Sequence, residues 1–216
     1  MFVGHFGPSF LAKVLDKTIP LWLLFLAVQL VDILWTIFVL LGIEKVRIVP
    51  DFTATNPFDF YYYPYTHSLP ATVAWAVGAF ALYRLVRAGN GSRAAWLVAG
   101  GVASHWFLDL IVHRPDLPLY DNAAKVGLGL WNYPITTLAL EAILLFGGMV
   151  FYLRATKPLR SSGRFAAIIF GVVIFAIQVG AFLGPPPGSV REAAAMGLVV
   201  YLVLAGVAYW IERKRA

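Results

Sequence analysis

Apolar residues run through this chain in long blocks, and polar residues gather between the blocks. Six blocks, at roughly 20–42, 67–88, 93–113, 131–154, 164–183 and 192–212, consist mostly of Leu, Ile, Val, Ala, Phe and Trp. A helix that crosses a bilayer needs about 20 such residues in a row. In lipid each backbone polar group must be satisfied within its own segment, so the blocks predict helices rather than strands. A further apolar stretch, Phe2 to Asp16, is too short to span. It predicts either a half-membrane helix ending at Lys17 or a helix lying in the interface. The expected fold is an all-α polytopic membrane bundle of about six spanning helices plus this short N-terminal one, in a single domain over 1–216.

Within that domain the polar residues are unevenly spread. Spans five and six carry only Gln178 as a strongly polar interior residue, so 155–216 reads as scaffold and 1–154 as the site-bearing part. The tyrosine-rich run Phe58-Asp59-Phe60-Tyr61-Tyr62-Tyr63-Pro64-Tyr65 stands at a span boundary, where such runs usually anchor the interface. Trp106 and Trp131 read as packing residues or anchors for the same reason. The Pro and Gly residues of 114–130 mark turns, and this loop is expected to fold down over the bundle mouth. Residues 184–191, with Gly184-Pro185-Pro186-Pro187-Gly188, read as a stiff linker. No removable signal peptide is expected, because residues 1–19 lack a charged start followed by a small-residue cleavage site.

Composition sharpens this picture. The chain is 60% hydrophobic and 13% charged, with a mean hydropathy of +0.76, far from the balance of a soluble domain. Its net charge of +6 comes from Lys and Arg placed at alternate membrane crossings. Lys13, Lys17, Arg84, Arg87, Arg93, Arg154, Lys157, Arg160, Arg164, Arg213, Lys214 and Arg215 fall on one side. Lys45, Arg47, Arg114, Lys125 and Arg191 fall on the other. The excess marks the cytoplasmic side of a cell membrane and places the C-terminus there. Charge used this way implies no nucleic-acid partner. Cysteine is absent, which excludes disulfides and thiolate metal sites. Any metal must use imidazole, carboxylate or water, which suits Zn first and also Mn, Fe or Mg.

The histidines give such a metal its donors. His105, Asp109 and His113 are four apart on one predicted helix and share a face. Ionisable groups inside lipid are costly unless something binds them. His105 lies twelve residues after Arg93, and Asp32 lies twelve after Pro20. At about 1.5 Å per residue both stand roughly 18 Å above the cytoplasmic end. His5 reaches the same depth if Phe2 to Asp16 is a half-membrane helix. His67 opens the second span from the outer side, and Glu141 lies near the midplane of the fourth. The expected ligands of one or two divalent ions are His5, Asp32, His67, His105 and Asp109. His113 and Glu141 are candidate proton relays. Arg114 and Lys125, on the outer side, could hold a phosphate group.

Gly4-His5, Tyr65-Thr66-His67-Ser68 and Ser104-His105-Trp106-Phe107-Leu108-Asp109 together resemble motifs of the YdjM-like family of membrane-bound metal-dependent hydrolases. The resemblance covers about residues 1–145. The first span of that family tends to end in Pro-Asp-x-Asp, where this chain has Val31-Asp32-Ile33-Leu34 in mid-span. The order His, Asp, His, His-x-x-x-Asp is also similar to the ligand order of helical zinc-dependent phospholipases C. The resemblance implies a metal-activated water attacking a phosphoester of a phospholipid-like or other amphiphilic substrate, from the outer leaflet. Two other readings fit the same residues: an ion-coupled transporter or channel, and a membrane scaffold with a structural metal.

Overall fold

The computed structural model describes residues 1–87, 89 and 91–216. After a 3-10 turn at Val3–His5 come helices α1 (Phe6–Leu15), α2 (Leu21–Val28) and α3 (Leu30–Leu40). A hairpin of β1 (Lys45–Ile48) and β2 (Phe58–Tyr62) leads to α4 (Pro64–His67), α5 (Leu69–Val86) and α6 (Ser92–Val112). A second hairpin, β3 (Leu117–Tyr120) with β4 (Ala123–Val126), precedes a 3-10 turn at Leu130–Asn132. Then follow α7 (Pro134–Ala155), α8 (Ser161–Leu183) and α9 (Val190–Glu212). Five helices (α5 to α9) are long and apolar enough to cross a membrane, and α2 with α3 makes a sixth as one bent span. The protein is an all-α membrane-type bundle.

The first span differs from the continuous helix expected over 20–42. It breaks at Gln29, and its two halves are bent by 56°. Gln29 adopts φ −105° and ψ 5°, which is off the helical path. It is buried, and its side-chain amide donates to the Phe2 carbonyl at 3.3 Å. A polar side chain drawn toward the N-terminal turn thus marks the interruption, without any Pro or Gly.

The short N-terminal helix lies inside the bundle, so the interfacial alternative is ruled out. Val3, Phe6 and Phe10 are buried; Phe6 stacks on Phe25, and Phe10 meets the same ring edge-on. Two glycines let α1 approach α7. A Cβ on Gly7 would strike the Leu144 carbonyl, and one on Gly148 would strike the Gly7 backbone. At its far end Lys13 pairs with Glu212 and donates to the Lys17 and Ile19 carbonyls, tying α1 to α9.

Apolar side chains also point outward along the long helices: Val77 and Leu85 on α5, Ile143 on α7, Ile169 on α8, Val199 on α9. An outward apolar surface of this kind is what lipid requires.

Both hairpins sit at one end of the bundle, here called the hairpin end. β1 and β2 pair antiparallel, with Arg47 opposite Asp59, and β3 and β4 pair with Pro118 opposite Lys125. The second hairpin folds back onto α6 as expected. Leu128 donates to the Leu110 carbonyl at 2.8 Å, and Gly129 to the His113 carbonyl at 2.6 Å. The tyrosine run is not a simple interface anchor. Tyr61 and Tyr65 are exposed, but Tyr63 is fully buried among His67, His113 and Phe60. Trp106 and Trp131 are buried packing residues, and Trp131 lies 4.2 Å, centroid to centroid, from the His113 ring.

Candidate metal centre

Six donor residues from four elements meet just below the hairpin end. α6 and the residue that caps its C-terminus contribute three of them, because residues four apart share a helix face. His105 Nε2 is 3.2 Å from Asp109 Oδ2, and His113 Nε2 is 3.7 Å from the same oxygen. The N-terminal turn brings His5, whose Nε2 lies 3.2 Å from Asp109 Oδ1. α3 brings Asp32 in its first turn, and α4 brings His67 as its last residue. Asp32 Oδ1 is 3.4 Å from His67 Nε2 and 3.5 Å from His105 Nε2. His67 Nε2 is also 3.7 Å from Asp109 Oδ2. The His5 and His105 rings stack with centroids 3.9 Å apart and planes 5° from parallel. The Met1 amino group also donates to Asp109 Oδ1, at 2.7 Å.

These spacings suit a shared cation. Nitrogen and oxygen ligands about 2.0–2.1 Å from a tetrahedral ion stand roughly 3.3 Å from one another. Two overlapping groups have ligand atoms all within 4.8 Å of one another: His5, His105 and Asp109, and Asp32, His67 and His105. Both contain His105, so it stands at the centre of the cluster. Its Nδ1 lies 2.9 Å from the Val28 carbonyl, which can only accept, so Nδ1 carries the hydrogen. Nε2 is then the ring atom that faces the cluster. This nitrogen is buried and makes no hydrogen bond among the described residues, although it lies between two carboxylates. A buried ring nitrogen left without a hydrogen bond beside two carboxylates is unfavourable by itself, and a metal ion between them would relieve it. The residues therefore fit a divalent metal.

The same orientation recurs in two further histidines. His113 Nδ1 is 2.8 Å from Asp116 Oδ1, and His67 Nδ1 is 2.8 Å from the Thr66 hydroxyl. In each, Nε2 faces Asp109. Histidines that ligate metals commonly carry such a partner on the other ring nitrogen. The His5 Nδ1 has none among the described residues.

The remaining expected residues lie elsewhere. Glu141 is buried but stands apart from both donor groups. Its Oε2 accepts from the Phe2 and Gly4 N–H groups at 3.2 and 3.1 Å, and its Oε1 accepts from Gln178 at 3.1 Å. Its bonding is that of a clamp on the turn that carries His5, not of a proton relay. Arg114 and Lys125 share an open groove of about 380 Å³ at the hairpin end, with Arg47, Asp59 and Asp116 also on its walls. Arg47 is paired with Asp59 at 2.6 Å. Arg114 lies over the Phe52 ring at 4.3 Å. Lys125 donates to the Phe60 and Tyr61 carbonyls, and burial lowers its ammonium from its ordinary value.

Asp116 links groove and cluster, since it lines the first and accepts from His113. Burial holds the Tyr63 phenol well above its ordinary value. It therefore stays a donor, and it bonds the Asp116 carbonyl at 3.0 Å. Sequence reasoning missed Asp116, and it missed Glu44 and Tyr201. Tyr201 lies on α9, assigned to scaffold, yet its hydroxyl donates to Asp32 Oδ2 at 3.0 Å. No protein-family model, curated protein or solved structure matches this chain.

Proposed function

We propose that the chain is a membrane-embedded metal-dependent hydrolase acting on a phosphoester of a phospholipid-like or other amphiphilic molecule. The observation that carries this reading is the buried His105 Nε2, which stands 3.5 Å from Asp32 and 3.2 Å from Asp109 with no hydrogen-bond partner among the described residues. His5, Asp32, His67, His105 and Asp109 would hold one or two divalent ions, zinc foremost. Such an ion supplies Lewis-acid activation of water and of a phosphoryl oxygen.

The chain's own residues do the rest. The imidazole of His113, oriented through Nδ1 by Asp116, presents Nε2 to the cluster and can take up and return a proton there. Arg114 and Lys125 offer positive charge to a phosphate group seated in the groove. The walls of the bundle exclude bulk water from the histidines, which strengthens every charge interaction among them. The Lys and Arg excess at the opposite end supports a cytoplasmic C-terminus and a site that opens outward. The motifs shared with YdjM-like hydrolases point to the same chemistry.

Elemental analysis of the purified protein and of a His105→Ala variant tests the reading. The expected result is stoichiometric metal in the wild type. In the variant, both the metal and phosphoester hydrolysis in lipid vesicles are lost while helical content is retained. Absence of metal from the wild type, with no stabilisation by added zinc or manganese, overturns it. Solute flux across proteoliposomes, abolished by Asp32→Asn, would assign the cluster to transport instead.

A further inference from the structure

Unlike His105 and His113, His67 has an outer nitrogen that meets neither a backbone carbonyl nor a carboxylate. It meets a hydroxyl, and the hydroxyl meets Glu44. Glu44 stands in the loop before β1, yet it is only 1% exposed. Its Oε1 accepts from the Tyr65 and Thr66 N–H groups at 2.8 and 2.9 Å, and its Oε2 lies 2.6 Å from the Thr66 hydroxyl oxygen. That oxygen lies 2.8 Å from His67 Nδ1. Burial raises the Glu44 carboxyl, and the His67 ring with the Thr66 and Tyr65 donors opposes the rise.

A threonine hydroxyl has one hydrogen to give. With Glu44 as carboxylate, that hydrogen goes to Oε2. The hydroxyl oxygen must then accept from His67, so Nδ1 carries the ring hydrogen and Nε2 keeps its lone pair. Nε2 is the atom that faces Asp32 and Asp109. We infer that Glu44 is a positioning residue for the metal centre, acting through the Thr66 hydroxyl to fix the tautomer of His67. This inference rests on the metal reading given above. Carboxylate-to-histidine partners of this kind tune metal affinity by about 10–100-fold; here a hydroxyl stands between the two.

A purely structural role is also open to Glu44, because its two backbone bonds cap the first turn of α4. Substitutions separate the two roles. Thr66→Val keeps both backbone bonds and removes the relay. Thr66→Ser restores the hydroxyl. In Glu44→Gln the carbonyl oxygen stays with the two backbone donors, so the amide nitrogen faces Thr66. The chain of donation then reverses, Thr66 donates to Nδ1, and the ring hydrogen moves to Nε2.

The experiment is a competitive zinc titration of full-length protein in detergent, paired with nitrogen-15 spectra of the histidine rings in metal-stripped protein. The expected outcome is zinc affinity about 10–100-fold lower in Glu44→Gln and Thr66→Val and near wild type in Thr66→Ser. His67 is expected as the Nδ1–H tautomer in the wild type and the Nε2–H tautomer in Glu44→Gln. Unchanged zinc affinity in Glu44→Gln and Thr66→Val, or an unchanged His67 tautomer in Glu44→Gln, overturns the inference. If the wild type takes up no zinc, the hydrolase reading fails, while the ring spectra still decide the relay.

Discussion

Asp32 shows how a candidate ligand is held by residues outside the donor cluster. Its Oδ1 faces two histidines, and its Oδ2 accepts the Tyr201 hydroxyl. Tyr201→Phe removes that donor without changing the ring. It should lower stability by about 1 kcal/mol and weaken zinc binding while the bundle stays folded. Thermal unfolding and a zinc titration of the variant check both effects. At this scale the sequence reveals the histidines and Asp32 and Asp109, because an ionisable group inside an apolar block is costly wherever it appears. Tyr201 escapes notice, since tyrosine is common in membrane helices and carries no charge. Glu44 and Asp116 escape for the opposite reason: a loop carboxylate reads as solvated until a fold buries it.

Helices and turns place these side chains, and two details of their packing matter most. The break after Val28 puts a carbonyl within 2.9 Å of His105 Nδ1 and starts α3 two residues ahead of Asp32. Pattern alone reads a single span there, because nothing in the sequence near Gln29 is a strong helix breaker. The second detail is the close crossing of α1 and α7. In Gly148→Ala the new methyl meets the Gly7 backbone, which cannot swing away like a side chain. It should cost about 1–3 kcal/mol, displace the turn that carries His5 and weaken zinc binding. Gly147→Ala is the matched control, since a Cβ there meets nothing within 4 Å. It should be neutral or slightly stabilising, as expected for alanine in a helix. Thermal unfolding of the pair separates the crossing from helix propensity.

Across the whole molecule, lipid-type surfaces surround a polar interior gathered toward one end. The number of spans and their helical type are legible from hydropathy, and so is the convergence of donors, since equal rise along each helix brings equal depths together. The hairpins are not legible, because strands of four or five residues leave too short a pattern. Metal removal tests the assembly as a unit. Anything that binds only the folded state stabilises it, by about 2.7 kcal/mol at a hundred times its dissociation constant. Chelation should therefore lower the unfolding temperature of the wild type, and zinc should restore it. The unfolding temperature of His105→Ala should respond to neither.

Since His105 and Asp109 ride on the single rod α6, their mutual spacing is set by helix pitch and not by how neighbouring helices sit. Mutations that loosen the N-terminal turn, α3 or α4 should thus leave a residual two-point foothold for the ion, and affinity should fall in graded steps as those neighbours are disturbed, rather than all at once.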